Sequence, residues 1–355
     1  MTRNGEDRMT SFSTDEALAR LLESGRTRAI ATDPDHALLW DALISAAEGG
    51  KRFRPALLVA AHGALGGTLH AAAAEVGAAV ELMHTAFVIH DDVIDGDHVR
   101  RGRPNVSGTF RDAALATGVA PEPAADYGRT AAILAGDLAL AATIRTVATC
   151  GAPPPVVDRL LDLFDAALHT TAAGELADVR LSLGAVPATL DESLLMEEQK
   201  TSAYSFALPL QAGAVLAGAD DGVVGRLGEA GRALGVAFQL ADDLIGVFGD
   251  PRHSGKSATN DLRTGKQTPL LVHAGSTTEW NRIAPHVGRE LDEEELTEVR
   301  RLLTGCGSRD FVEDLAEQHL TTARTVLDEL GIAPALLDSV VAPPPAVATG
   351  EEVAA

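Results

Sequence analysis

Residues 87–96 read FVIHDDVIDG, and residues 238–247 read FQLADDLIGV. In both stretches a Phe stands four residues before a pair of aspartates, inside an apolar run that reads as helix. Asp91 and Asp95 are four apart and so share one helical face, with Asp92 beside them. Asp242 and Asp243 take the same places in the second stretch. Adjacent carboxylates repel one another and resist burial, and one such pair alone would read as a solvated helix end. Two pairs, each in an apolar helix behind a matching Phe, call for a compensating cation. Mg2+ suits this chemistry, because it takes carboxylate oxygens and keeps positions open for water or phosphate. Two acidic helix faces across a helix bundle could hold several such ions, which would grip a diphosphate.

Helical periodicity continues through most of the 355 residues. It predicts helices over 15–30, 37–48, 52–65, 70–94, 107–117, 127–149, 154–182, 190–217, 222–249, 267–279, 293–305 and 309–330. Breaks are expected at GG (49–50), RGRPN (101–105), APEPAADYG (120–128), GAPPP (151–155) and GDPRHSGKS (249–257). No stretch reads as a strand. Ala and Leu are abundant and aromatics make up only 4%, which favours helix. The expectation is one all-α domain over 15–341, with a flexible polar N-terminal tail (1–14). The Pro/Ala-rich residues 342–355 read as a disordered tail.

The formal charge of -22 argues against nucleic acid or an anionic membrane surface as the main partner. No signal peptide is read in the polar N-terminus. Apolar stretches such as TAAILAGDLALAATI, from Thr130, are interrupted by charge, so no membrane insertion is expected. Two cysteines, Cys150 and Cys306, do not make a disulfide framework and suit a reduced, cytoplasmic chain.

The basic residues are more telling than their sum. Of 29 Lys plus Arg only four are lysines: Lys51, Lys200, Lys256 and Lys266. Lysine is a common phosphate binder, and its retention in a chain that otherwise uses Arg points to anions. GGKRFRP (49–55) puts Lys51 at a helix start, where free N–H groups favour anions, with Arg54 one turn on. His84 lies two turns before Asp91 on the same face, and VRRGRPN (99–105) brings Arg100, Arg101 and Arg103 in a loop able to fold back. Lys256 and Lys266 follow the second acidic cluster. Each alone would read as a surface charge, or as a satisfied interior histidine. Their grouping around two carboxylate clusters is what points to an anion site.

These motifs, together with ILAGDLAL (133–140), GELADV (174–179), the KT pair at 200–201 and GKSATNDLRTGKQTP (255–269), resemble the trans-isoprenyl diphosphate synthases of the polyprenyl synthetase family. The match is ordered and runs over roughly residues 45 to 270. The resemblance implies an all-α isoprenoid-synthase-like bundle around a central cavity, acting as a homodimer. It implies as many as three Mg2+ ions held by Asp91, Asp92, Asp95, Asp242 and Asp243. An allylic diphosphate (dimethylallyl, geranyl or farnesyl) would meet those ions, with Lys200, Lys256 and Arg100 on its oxygens. Isopentenyl diphosphate would bind at Lys51, Arg54, His84 and Arg101, with Lys266 also a substrate-binding candidate. Carbonyls near Thr201 and the amide of Gln239 would steady the allylic cation.

Two positions depart from the family pattern. Gly246 stands where the fuller second cluster has a third Asp, and Glu175 stands where Gln is common, while Asp178 remains. Chain length is expected to depend on Phe87 and Ala86, four and five residues before Asp91 and so about 6–7.5 Å down the helix axis. One aromatic beside one Ala implies a short product, twenty carbons (geranylgeranyl diphosphate) ahead of fifteen (farnesyl diphosphate). The rivals are a class I terpene cyclase, which needs no second anion site, and a regulatory subunit, which would have no need of its acidic clusters.

Overall fold

Helices begin where the apolar period meets a capping residue. In a computed structural model, which describes residues 13–184, 186–249 and 260–332 apart from the side chains of Pro34 and Asn260, Asn105 accepts from Gly108 N at 2.8 Å and Asp220 accepts from Val223 N at 3.0 Å, each closing the first turn of a helix. Thr189 with Glu192, and Asp292 with Glu295, form reciprocal capping boxes. The chain divides into two compact units.

The first unit holds residues up to Leu161 and Val215–Gly218. Its elements are α1 (Thr14–Thr32), α2 (Pro34–Ala47), α3 (Phe53–Ala64), α4 (His70–Ile94), a hairpin of β1 (Val99–Arg100) and β2 (Arg103–Pro104), α5 (Val106–Ala116), α6 (Pro121–Ala148) and the start of α7 (Pro154–Ser182). Leu18, Leu22, Trp40, Leu43, Leu82, Ile89 and Phe110 build its core. Small residues at Ala132, Ala135 and Ala139 let α6 lie close against α4. At Gly136 an added Cβ would meet His90 Nε2 at 2.1 Å, so the ring occupies the space a side chain would need.

The second unit holds Asp162–Ala214 and the chain from Ala219. After the rest of α7 come α8 (Leu190–Glu197), a π-helical segment (Glu198–Ala207), α9 (Leu208–Leu216) and α10 (Asp221–Phe248). Short helices α11 (Asn260–Thr264), α12 (Pro269–Gly275) and α13 (Trp280–Ile283) precede α14 (Glu293–Gly305) and α15 (Ser308–Glu329). Its core includes Leu240, Leu244, Phe248, Leu262, Leu270, Leu302 and Val312, where α10 packs on α15.

Four expectations change. The break expected at 120–128 is the start of α6, because Pro121 occupies the first helical position, where no N–H is needed. The helix expected over 190–217 is interrupted by the π-helical segment. The arginine loop closes into a two-stranded hairpin around Arg101 and Gly102, which both take positive φ. Finally, α4 and α6 are long and apolar enough to cross a bilayer by length and composition, with 78% and 44% of those spans buried inside the protein. Residues 1–12 of the expected N-terminal tail and all of the expected C-terminal tail lie outside the described residues.

Candidate active site

In the first unit, the last turn of α4 places Asp91 partly exposed, Asp95 exposed and Asp92 only 3% exposed. Arg100, on β1, donates from Nε to Asp92 Oδ1 at 2.6 Å and from Nη2 to Asp91 Oδ2 at 3.2 Å. Burial pushes the Asp92 carboxyl up to about 6, and the Arg100 charge opposes that rise. Arg100, expected on phosphate oxygens, pairs with both aspartates here and would have to give up part of that pairing to reach a phosphate.

The hairpin folds back as expected. Arg101 donates to the Glu48 carbonyl at 3.3 Å, and its guanidinium lies 3.5 Å from where a Cβ on Gly49 would be. A glycine with positive φ stands at both 49 and 50. Arg52, with a φ of 51°, bonds Glu81 at 2.7 Å and the Ala47 carbonyl at 2.6 Å, which fixes the turn that exposes Lys51. Arg54 is 9% exposed, with its guanidinium 4.4 Å over the Phe53 ring.

His84 is partly solvent-exposed yet deeply set, and its imidazole is held well below the ordinary histidine range. Burial is the first cause, followed by the charges of Arg54, Arg101, Arg100 and Arg52. The ring is thus neutral among these guanidinium groups. Because the unfolded chain takes up a proton on His84 below about pH 6.5 and the folded chain does not, stability falls as pH drops through that value, by up to about 1.4 kcal/mol per pH unit. His84→Gln should remove that share of the slope when urea unfolding is compared between pH 7.5 and 5.5. An identical slope in the variant would assign the effect to other groups.

In the second unit the same alternation recurs on α10: Asp242 is partly exposed and Asp243 is 5% exposed. Asp243 is hydrogen-bonded to the buried Glu197. Burial pushes both carboxyls upward, and for Asp243 the Glu197 charge adds to it, so the pair keeps a proton. The solvent-reachable carboxylates are therefore Asp91, Asp95 and Asp242, while Asp92 and Asp243 are buried.

Sequence reasoning missed Glu197 and Asp261. A Cβ at Gly246 would lie 2.6 Å from Asp261 Oδ2, so another carboxylate already stands beside the gap in the second cluster. The sequence alone suggests that Gly246→Asp would ease the Mg2+ requirement. The geometry adds a condition: the new carboxylate would meet the movable end of the Asp261 side chain. Without Mg2+ the two like charges should lower the melting temperature, and added Mg2+ should restore it. A melting temperature unchanged in the variant with or without Mg2+ would refute the repulsion.

Lys200, in the π-helical segment, bonds Asp178 at 2.7 Å and Glu175 at 3.1 Å. The segment reaches α7 because Gly174 has no side chain; an added Cβ would meet Lys200 N at 2.2 Å. Glu175, the departure from the family pattern, is thus a second counter-charge for Lys200. Thr201, Gln239 and Lys266 are partly exposed, and Lys266 N donates to the Asp261 carbonyl at 3.1 Å. Lys256 lies outside the described residues. Phe87 is partly exposed, whereas Ala86 is fully buried in the core of the first unit.

Among the described residues no three His, Cys, Asp or Glu side chains converge to hold a metal by themselves. The donor set still fits Mg2+, which is held by one or two carboxylates and completes its shell with water and substrate phosphate. The paired arginine on Asp91 marks where positive charge is required.

Residues 37–303 match the model of the polyprenyl synthetase family. The geranylfarnesyl diphosphate synthase of Aeropyrum pernix is 32% identical over 286 residues, 79% of this chain and 84% of that one. The geranylgeranyl diphosphate synthase of Methanosarcina mazei is 32% identical, with 81% and 82% covered. Other relatives carry geranylgeranyl and farnesyl names. The geranylgeranyl pyrophosphate synthase of Corynebacterium glutamicum, solved with isoprenyl diphosphate and magnesium, superposes with a TM-score of 0.82 at 28% identity over 93% of this chain and 95% of that one. The fold is thus the all-α fold of the isoprenyl synthases. The chain belongs to the polyprenyl synthetase family.

Proposed function

We infer that the chain is a short-chain prenyl diphosphate synthase, a prenyltransferase that condenses isopentenyl diphosphate with an allylic diphosphate. The observation that carries this reading is the basic group of Arg54, Arg101 and His84 in the unit that also bears Asp91 and Asp95. A cyclase acting on one diphosphate needs no second anion site, and a regulatory subunit needs no intact acidic cluster.

Asp91, Asp95 and Asp242 would hold as many as three Mg2+ ions, with Lys200, Lys256 and Arg100 on the allylic diphosphate. When bound, the ions offset negative charge growing on the leaving diphosphate. Lys200, paired with Asp178 and Glu175, would give up part of that pairing for a phosphate oxygen. Isopentenyl diphosphate would sit on Lys51, Arg54, His84 and Arg101, with Lys266 a further substrate contact. The allylic C–O bond breaks, its electron pair leaving with the diphosphate, and the isopentenyl double bond attacks the allylic carbon. Carbonyls near Thr201 and the Gln239 amide would steady the cation, and the released diphosphate would accept the final proton. No catalytic His or Glu is needed.

The product is proposed to be geranylgeranyl diphosphate, with farnesyl diphosphate second. Phe87→Ala should lengthen it by at least one five-carbon unit. Ala86→Phe, the converse change, should shorten the product, but it is an overpacking change at a fully buried site and costs about 1–3 kcal/mol, so Phe87 is the cleaner probe. Incubation with Mg2+, isopentenyl diphosphate and each of dimethylallyl, geranyl and farnesyl diphosphate, followed by mass analysis of the dephosphorylated products, tests both statements. A cyclic hydrocarbon formed from the allylic substrate alone would favour the cyclase. No turnover by the pure chain would favour the regulatory subunit, and wild-type product from Phe87→Ala would move the chain-length floor elsewhere.

The assembly is proposed to be a homodimer, supported by exposed Tyr127, Ile133 and Leu134 on α6. The net charge and two free cysteines support a cytoplasmic enzyme that neither binds nucleic acid nor inserts in a membrane.

A further inference from the structure

Arg52 stands between Lys51 and Arg54 in sequence, yet its guanidinium is turned to the protein. Nη1 donates to Glu81 Oε1 at 2.7 Å, Nη2 donates to the Ala47 carbonyl at 2.6 Å, and Nε lies 3.3 Å from Asp15 Oδ1. Each of its three nitrogens thus meets an acceptor of the first unit. Its charge is among those that lower His84, so the pair with Glu81 lies beside the basic group. Glu81, on α4 three residues before His84, is only 5% exposed. Its other oxygen, Oε2, is buried with no hydrogen-bond partner among the described residues. A buried carboxylate so near an anion site is unfavourable twice over, because it is desolvated and because it repels the anion. The proposed reaction gives it no task.

The backbone supplies the reason for it. Arg52 has φ 51° and ψ 30°, the left-handed region that side chains disfavour and glycine accepts. Positions 49 and 50, also at positive φ, are glycines. Position 52 is an arginine instead, and a strained conformation of this kind persists only where its surroundings hold it. The contacts to Glu81 and to the Ala47 carbonyl, at the end of α2, are that hold. Because α3 starts at Phe53, the angle at Arg52 sets how Lys51 leaves the turn and how Arg54 enters the helix.

We propose that Glu81 and Arg52 are positioning residues for isopentenyl diphosphate: their ion pair locks the left-handed turn that holds Lys51 and Arg54 for the diphosphate. This rests on the reading of Lys51 and Arg54 as that substrate's site. The two charges offset one another, so the pair stiffens the turn and leaves the attraction of the anion to its neighbours. Arg52 is thereby set apart from the basic residues that meet phosphate.

The test follows diphosphate release by the full chain with isopentenyl diphosphate varied at saturating allylic substrate, and the converse. Arg52→Gly accepts the same φ but loses the tie, and should raise the KM for isopentenyl diphosphate about tenfold. The allylic KM, and kcat at saturation, should stay within about twofold of wild type. Glu81→Gln keeps the shape but weakens the hydrogen bond, and should raise the same KM about threefold. The double variant removes both charges and should keep the raised KM. Its return to the wild-type value would show mere repulsion by an unpaired Glu81 and overturn the proposal. A lower KM in Glu81→Gln would make Arg52 a direct phosphate ligand, which also overturns it. Equal changes for both substrates, the mark of a structural role alone, would do the same. Thermal melting reports folding, and Glu81→Gln carries the test if Arg52→Gly does not fold. Lys51→Ala separates the two readings. If it raises the isopentenyl KM and the Arg52 and Glu81 variants do not, the positioning role alone falls; if none of the three does, the isopentenyl site falls with it.

Discussion

Asp91→Ala is expected to lower turnover by at least about a hundredfold while leaving the melting temperature nearly unchanged, and Asp242→Ala is expected to do the same. Both aspartates are partly exposed first members of their pairs, so neither is needed to fill the core. The loss falls on binding and on charge at the leaving group. The second members behave differently. Asp92 and Asp243 are buried, and removing either leaves a partner, Arg100 or Glu197, in a site built around it. Variants at those positions should lose stability as well as activity. EDTA should silence the wild type, and excess Mg2+ should restore it. Product release is measured by the diphosphate liberated, with circular dichroism melting run in parallel. Undiminished condensation in EDTA, or an Asp91→Ala enzyme at wild-type rate, would remove the metal from the mechanism.

The features legible in the sequence were those set by neighbours a few residues away. The bounds of α4 at 70–94 and α7 at 154–182 follow from the apolar period and neighbouring turn residues, those of α14 at 293–305 also from its Asp292 cap, and the structure reproduces them. The pairing of Asp91 with Asp95 is a matter of helical spacing alone. Features set by the tertiary fold were not legible. Asp261 lies fifteen positions beyond Gly246, yet its carboxylate stands where a side chain at 246 would begin. Glu197 joins Asp243 from a different helix, and nothing in its local sequence marks it as buried. The π-helical segment carries an apolar pattern close to that of an α-helix, so the sequence does not announce the extra residue per turn that delivers Lys200 to Asp178. Proline misled for the opposite reason: it marks a break in mid-helix and a start at the first turn, and composition alone does not separate the two.

The two anion sites should come apart under mutation. Arg54→Ala is expected to raise the KM for isopentenyl diphosphate about tenfold or more, because a charge-assisted phosphate contact is worth about 1.5–3 kcal/mol. Its kcat at saturation should change far less. Lys51→Ala should act in the same direction, and as an exposed residue it should leave stability intact. Arg54 is nearly buried and packed on Phe53, so its variant needs a melting control that Lys51 does not. On the other side, Lys200→Ala should raise the KM for the allylic substrate. It also leaves Asp178 and Glu175 without their shared ammonium, so a share of its effect should appear in the Mg2+ dependence. Replacing Glu175 by Gln in the Lys200→Ala background should relieve that share and leave the allylic defect. The signature of two sites is opposite selectivity: Arg54 and Lys51 variants discriminate against one substrate, Lys200 variants against the other. Equal loss for both substrates in every variant would mean that the basic residues of the first unit do not form a separate isopentenyl site, and the reading as a condensing enzyme would lose the observation it rests on.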